Sequence, residues 1–259
     1  MMKKYLKAAM LATVLSSGAS AALAADVISE NRSVDARAVN IDLDGVISLK
    51  IKQGPVASLT LHGEADALKK VTVEQTGDTL HIGTSKSRGS FNFGFGRKQD
   101  LRAELTLPNL RQVVSSGVGS TEVNGFSGDN LRLALDGAGS VKVNAQYRNV
   151  DVKLGGVGSM TVNAGNSDNV DLNLRGTGHI EITGQTKQLH ASLGGVGGLD
   201  AEQLHADTVE VSMSGLGSAS VYAKTSANMK LSGMGSAKVY GNPANRSASA
   251  RGMGSISWQ

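Results

Sequence analysis

The sequence predicts an all-β fold of the parallel solenoid type, and two observations support this prediction. A phrase of glycine, one residue, glycine and usually serine recurs at steps of 20, 19, 20, 19, 20, 18 and 19 residues, and a near-constant period of this size is typical of solenoids. Apolar and polar residues alternate between the phrases, as in strands with one buried face. The eight glycine pairs are Gly117 and Gly119, Gly137 and Gly139, Gly156 and Gly158, Gly176 and Gly178, Gly195 and Gly197, Gly215 and Gly217, Gly233 and Gly235, and Gly252 and Gly254.

Residues 1–24 have the pattern of a secretory signal peptide. Three lysines precede the apolar run Ala8 to Leu15, and Ala22-Leu23-Ala24 fits the small-residue rule for signal peptidase. We expect cleavage after Ala24 and an exported protein, in the periplasm if the cell has two membranes, or outside the cell. The alternative is an amphipathic or membrane-anchoring helix, but the apolar run is short for a bilayer span, and we expect none in the mature chain.

Charge and composition exclude several classes of function. Removing Lys3, Lys4 and Lys7 with the leader leaves 23 basic against 22 acidic residues, a net charge of +1, so we expect no nucleic-acid partner. The chain has no cysteine, which excludes thiol chemistry and disulfides. The Gly-x-Gly phrases lack the third glycine of a dinucleotide fingerprint and the lysine of a P-loop, so we expect no nucleotide and no other cofactor.

Residues 25–110 are predicted to form a β segment that caps or extends the solenoid. The strand pattern alternates at period two, with Asp44-Gly45 and Gly77-Asp78 as predicted hairpin turns. One helical turn is expected between Glu64 and Lys70, and the strand from Leu101 to Leu107 stops at Pro108. The segment is continuous with the repeats of residues 111–259, so we predict one structural domain from about residue 35 to residue 258.

Within that segment, residues 83–100 concentrate three phenylalanines: Phe91, Phe93 and Phe95. They alternate with glycine and asparagine and are flanked by cations. One interpretation is a binding loop that presents aromatics to a membrane surface, a glycan or a partner protein. The other is a hairpin whose phenylalanines cover the first rung of the solenoid, where a rung is one turn of the chain.

Each rung is predicted to contain two short strands, a glycine corner between them and a polar corner leading to the next rung. Rungs stack at roughly 4.8 Å, so eight of them would make a rod about 38 Å long. Glycine suits the corner because stacked backbones approach closely there and leave no room for Cβ. The middle residue of the phrase varies from Val118 and Ala138 to Met234 and Met253, which we interpret as a turn that tolerates any occupant. Trp258, on an inward position of the last strand, is expected to help close that end.

The strand Leu101 to Leu107, followed by Pro108-Asn109-Leu110 and then by Gly-x-Gly-Ser phrases at this period, resembles a family of exported bacterial proteins. That family is described as the putative auto-transporter adhesin head domain, or head GIN domain. The resemblance covers roughly Asp35 to Trp258. It implies a single-stranded right-handed parallel β-helix, related in shape to pectin lyases but without recognised catalytic residues, and a role in adhesion.

One set of polar residues could carry chemistry. Arg132, Asp151, Asp171 and His190 fall on equivalent outward positions of successive rungs. The two aspartates could therefore lie about 5 Å apart, the carboxylate separation of retaining glycosidases, or contribute to a calcium site. The other interpretation, which we favour, is a ladder of solvated charges that keeps a parallel sheet soluble. No spacing typical of metal ligands occurs among the histidines, and we expect no metal.

The sequence thus predicts a non-enzymatic exported envelope protein, a scaffold for adhesion or for recognition of a cell-envelope glycan or a surface protein. The alternative is a polysaccharide lyase or hydrolase of the β-helix type that uses Asp151 and Asp171. A third possibility is a structural or envelope-stress component that has no ligand.

Overall fold

The computed structural model describes residues 27–84 and 101–259. These residues form seventeen strands and one short helix. The elements before the repeats are β1 (Val27–Arg32), β2 (Asn40–Leu43), β3 (Ser48–Gln53), β4 (Ser58–Glu64), α1 (Ala65–Leu68), β5 (Val71–Thr76), β6 (Thr79–Thr84) and β7 (Arg102–Leu107). The elements that follow are β8 (Gln112–Ser115), β9 (Val118–Leu135), β10 (Ala138–Leu154), β11 (Val157–Leu174), β12 (Thr177–Leu193), β13 (Val196–Met213), β14 (Leu216–Leu231), β15 (Met234–Tyr240), β16 (Asn245–Ala250) and β17 (Ser255–Trp258).

The repeats form a parallel β-solenoid, as predicted. From β8 to β14, each strand pairs in parallel with the next strand along the chain. At the C-terminal end, β14 pairs in parallel with both β15 and β16, and β15 pairs in parallel with β17. The stack has about seven turns, close to the eight rungs that the glycine phrases predict. Inward residues occupy matching positions in successive rungs and are at most 2% exposed: Leu133, Val152, Leu172, Ala191, Val211 and Met229.

The predicted polar corner between rungs is not a break in the strands. Extended backbone continues through it, so that β9, β11 and β13 each run for 18 residues. This stretch adds a third side to each rung and contributes its own core residues, among them Phe126, Ala145 and Tyr147. The Tyr147 hydroxyl donates a hydrogen bond to the Leu110 carbonyl at 2.7 Å. The third side therefore ties the repeats to the chain that enters them.

Asp44-Gly45 is a solenoid corner, and the predicted hairpin at this dipeptide is wrong. Strand β2 pairs in parallel with β6 and β8, and β3 pairs in parallel with β7 and β9, so the rung made by β2 and β3 lies between two others. The Val118 amide donates to the Gly45 carbonyl at 2.7 Å, so Gly45 stacks on the first glycine phrase. The predicted hairpin at Gly77-Asp78 is confirmed by the antiparallel pairing of β5 with β6.

Antiparallel strands and the short helix cover the N-terminal end of the stack. Strand β4 pairs antiparallel with β7, β1 pairs antiparallel with β4, and β5 with β6. Helix α1 buries Ala67 and Leu68 beside them, where the helical turn was predicted. Phe91, Phe93 and Phe95 lie outside the described residues, so both interpretations of that segment remain predictions.

The core tapers at the C-terminal end. Ala248 and Ala250 are exposed, whereas Met229 and Leu231, their partners in the preceding rung, are buried. Trp258 is half-buried against the core, and the Arg246 guanidinium lies 5.2 Å from the centre of its ring. A cation over an indole face stabilises this arrangement.

Candidate binding groove along the glycine corner

An exposed ridge of apolar side chains runs along the glycine corner. It consists of the middle residues of the glycine phrases together with Val46, which occupies the same position in the β2–β3 rung and bridges to Val118. Seven of these residues are large and apolar, yet they are between 44% and 79% exposed: Val46, Val118, Val157, Val196, Leu216, Met234 and Met253. Ala138 and Thr177 complete the column and are also exposed. We call this column the apolar ridge.

Backbone geometry forces these side chains outwards. A Cβ on Gly178 would lie 1.8 Å from the Gly158 carbonyl oxygen, so the second glycine of a phrase has no space for a side chain. The first glycine is equally confined, since a Cβ on Gly176 would lie 1.9 Å from the Gly156 carbonyl oxygen. Only the middle residue can carry a side chain, and it points to solvent at the apex of the corner.

A groove of about 760 Å³ lies beside the C-terminal two-thirds of the ridge. The first glycines of successive phrases form its floor, the ridge forms one wall, and the residues that precede the first glycines form the other wall. We call it the glycine groove. Its lining includes Gly156, Gly176, Gly195, Gly215 and Gly233 on the floor, Val157, Thr177, Val196, Leu216, Met234 and Met253 on the ridge, and Gly155, Arg175, Gly194, Ser214 and Ser232 opposite.

Few polar groups in the groove are available to a ligand. The floor amides are already used: the Thr177 amide donates to the Gly156 carbonyl at 2.9 Å, and the Leu216 amide donates to the Gly195 carbonyl at 3.0 Å. Arg175 is the charged residue of the lining, and it makes no side-chain hydrogen bond or ion pair with the described residues. The groove therefore offers mainly van der Waals contact along its length, together with one guanidinium and the hydroxyls of Thr177, Ser214 and Ser232.

The predicted charge ladder is present on the face that leads into the glycine corner. Asp151 is in register with Arg132 and with Asp171, and Asp171 is in register with His190. The Arg132 guanidinium lies 3.4 Å from an Asp151 carboxylate oxygen, which neutralises one member of the aspartate pair. The ladder continues with Glu210, whose carboxylate lies 3.7 Å from the His190 ring nitrogen. Side chains project side by side from a flat sheet here, which favours the interpretation as a solvated ladder.

The paired glycines from Gly117 to Gly235 lie at rung corners. Within the described ranges, no cluster of three or more His, Cys, Asp or Glu side chains is arranged to hold a metal ion.

The sequence interpretation missed the apolar ridge. It treated the variation from Val118 to Met253 as tolerance of any occupant, although most of the occupants are large and apolar at a position that must face water. That bias was the signal, because a turn under no other constraint collects polar residues.

Stacked parallel rungs and an antiparallel N-terminal cover define the chain as a β-solenoid, and an apolar edge of it is exposed. The chain belongs to the family described as "Putative auto-transporter adhesin, head GIN domain", whose model matches residues 38–243. This confirms the resemblance on which the sequence interpretation relied, and the family indicates an exported, adhesin-like protein.

Solved structures share the fold. A putative adhesin from Parabacteroides distasonis aligns over 91% of this chain and 98% of its own, with a TM-score of 0.78 and 20% identity. A putative lipid binding protein from the same species aligns over 90% and 97%, with a TM-score of 0.75 and 18% identity. A putative adhesin from Bacteroides fragilis aligns over 90% and 97%, with a TM-score of 0.63 and 23% identity.

A comparison with curated protein sequences finds no match. In the part of the chain that the structure describes, no helix has the length and apolar character of a membrane span.

Proposed function

We propose that this protein is a non-enzymatic exported scaffold for adhesion, which recognises a cell-envelope partner through the apolar ridge and the glycine groove. The observation that supports this most directly is the ridge itself. Soluble proteins rarely keep a continuous apolar strip in water, and such a strip usually marks an interaction site. Here it extends along most of the rod and adjoins a groove of ligand-binding size.

The partner classes expected from the sequence are an envelope glycan and a surface protein. A rigid rod suits both because its side chains keep a fixed spacing along the stack. The ridge can interact with a partner mainly through apolar contacts. A partner that has an apolar surface of its own therefore fits better than an unmodified glycan.

The leader pattern and the family both support export. Residues 1–24 carry the signal-peptide pattern, and we propose a mature chain that begins at Ala25 in the periplasm or outside the cell. Mass spectrometry of protein recovered from a periplasmic or culture fraction would measure the N-terminus directly. Recovery of an intact Met1 would rule out cleavage.

Binding to the envelope tests the recognition function. The mature protein should sediment with isolated cell envelopes, and Leu216→Asp should abolish this because it places a charge in the middle of the apolar ridge. The matched control is Val56→Asp, a change of another exposed apolar residue, in the loop between β3 and β4. If the two variants sedimented equally with the envelopes, the ridge would not be the surface that binds them.

The enzymatic alternative retains one supporting observation, the register of Asp151 with Asp171 on adjacent rungs. If the protein is a β-helix lyase or hydrolase, it must turn over at least one envelope polysaccharide, and the double variant Asp151→Ala, Asp171→Ala must eliminate that turnover. Activity that survives the double variant would place catalysis elsewhere.

A further inference from the structure

The geometry points to a long-chain fatty acid as the ligand of the glycine groove, with its carboxylate on Arg175 and its acyl chain lying along the apolar ridge towards Met253. This inference rests on the proposed function, because it names a ligand class for the same groove. Three features support it: a cation without a side-chain partner among the described residues, a matching length, and a lining in which Arg175 is the charged residue and the other side-chain polar groups are the hydroxyls of Thr177, Ser214 and Ser232.

Arg175 is placed to receive an anion. It belongs to the column of residues that precede the first glycines, and its neighbours above and below in that column are Gly155 and Gly194, which have no side chains to cover it. The Asp136 carboxylate reaches over Gly155, since a Cβ on Gly155 would lie 2.4 Å from one of its oxygens, but it pairs with Lys153 at 3.0 Å and forms no ion pair with Arg175. A carboxylate can accept two parallel hydrogen bonds from a guanidinium, which is the strongest pairing available to it.

The groove has the length of an acyl chain. Arg175 and Arg251 occupy the same column four rungs apart, which at about 4.8 Å per rung corresponds to roughly 19 Å. One acyl chain spans about half of the ~30 Å hydrocarbon core of a bilayer, or roughly 15 Å. A carboxylate at Arg175 therefore leaves an extended chain in contact with the ridge over its whole length.

The apolar side chains of the ridge become larger and more flexible with increasing distance from Arg175. Val196, Leu216, Met234 and Met253 follow one another along that wall. Methionine adapts its shape to irregular apolar partners, which suits the mobile end of an acyl chain.

Other ligand chemistries fit less well. An extended peptide is held by hydrogen bonds to free backbone groups, but the groove amides of Thr177, Val196 and Leu216 already donate to the preceding rung. A sugar needs several converging polar groups and usually an aromatic face, and none of the described residues that line the groove is aromatic. An acyl chain needs neither.

Calorimetric titration with palmitate below its micellar concentration tests the assignment. The mature protein should bind one palmitate, and Arg175→Gln should weaken binding about tenfold, as expected for the loss of one charged hydrogen-bonding group. Binding of the neutral analogue hexadecanol should be unchanged in that variant. Leu216→Asp should weaken the binding of both ligands by at least about tenfold, because an acyl chain that covers the new carboxylate removes its water and provides no hydrogen bond in return.

Two matched controls keep the result specific. Arg251→Gln changes the same residue type in the same column, but roughly 19 Å from Arg175 and so past the end of an acyl chain of roughly 15 Å. Val56→Asp repeats the charge insertion away from the ridge, and both variants should bind palmitate within about twofold of the wild type. The fatty-acid assignment is overturned by any of three results: no palmitate binding by the wild type, equal losses in Arg175→Gln and Arg251→Gln, or octanoate binding as tight as palmitate.

The envelope assay separates this inference from the proposed function. If Leu216→Asp abolishes envelope binding but palmitate does not bind, the groove keeps its recognition role and the fatty-acid assignment alone is wrong. If Leu216→Asp leaves envelope binding intact, the proposed recognition surface is wrong, whatever palmitate does.

Discussion

Gly178 stacks directly on Gly158, and a Cβ on Gly178 would lie 1.8 Å from the Gly158 carbonyl oxygen. The φ angle of Gly178 is +153°, a conformation that residues with a side chain rarely adopt. Because backbone atoms surround the site, no side chain can rotate to relieve such a contact. Position 178 therefore requires glycine, because the backbone of the rung beneath fills the space that a Cβ would occupy.

Replacing Gly178 by alanine should lower the free energy of unfolding by about 3 kcal/mol or more, since strain in φ and a backbone clash act together. Urea denaturation followed by circular dichroism would measure this loss. Gly194→Ala is the matched control, because its new Cβ would meet only the Ser214 hydroxyl oxygen at 3.6 Å, an ordinary contact. A loss of similar size in both variants would mean that glycine is needed at the corner for some reason other than stacking.

Tyr147→Phe should cost about 1–3 kcal/mol of stability, because the buried Leu110 carbonyl loses its hydrogen-bond donor. The effect should be measurable as a lower urea midpoint with an unchanged slope. Tyr240→Phe removes a hydroxyl from a less buried tyrosine and should have a smaller effect. If the two variants were equally stable, the bond from Tyr147 to Leu110 would contribute nothing beyond ring packing.

Burial raises the pKa of the Tyr147 phenol to about 12. A pKa that is higher in the folded than in the unfolded state contributes stability that is complete below the unfolded value of about 10 and is lost as the pH rises through 12. We expect the wild type to lose more stability than Tyr147→Phe over this interval. Phenolate absorbance recorded with the unfolding curve would show whether ionisation of this tyrosine accompanies unfolding; parallel pH profiles for the two proteins would contradict the assignment.

Hydrogen bonds from Lys187, and secondly from Arg148, lower the pKa of the Asp168 carboxyl below its ordinary value. The Lys187 ammonium lies 2.6 Å from one carboxylate oxygen, and the Arg148 Nε lies 3.1 Å from the other. The sign is opposite to that of Tyr147: the stabilisation is present above the unfolded pKa and is lost as the pH falls through the folded one.

Lys187→Gln should therefore raise the pKa of Asp168 towards its usual range, as read from the carboxyl carbon shift in an NMR titration. Lys142→Gln, a neutralisation at an exposed site on another side of the rung, should leave the Asp168 titration where it is. An unmoved Asp168 titration in the Lys187 variant would show that the ion pair does not persist in solution.

Much of the fold follows from residues that are close in sequence. The alternation around Leu133, Val152 and Leu172 indicates which side chains face inwards, and the constant period then determines how rungs align. The glycines at each corner follow from the same argument, because close backbone approach excludes every other residue.

The sequence-based predictions fail where a short stretch of sequence is compatible with two backbone structures. Asp44-Gly45 suits a tight hairpin, but the positive φ of Gly45, +88°, serves a solenoid corner equally well. The choice is made by pairing partners such as Leu43 with Ser115, 72 residues later, which no local pattern shows. Similarly, the exposure of Leu216 cannot be read from alternation, since it depends on a corner that stacking alone creates.

The position of the β2–β3 rung affects the order in which the chain can fold. This rung comes early in the sequence, yet it is paired on one side by β6 and β7 and on the other by β8 and β9. A chain that emerges from an export channel from its N-terminus therefore cannot complete the pairing of this rung until the residues up to Asn124 have followed it. Contacts of such long sequence separation form slowly, so the repeats, which need only their neighbours, have time to assemble first and to serve as the template on which the earlier segment closes.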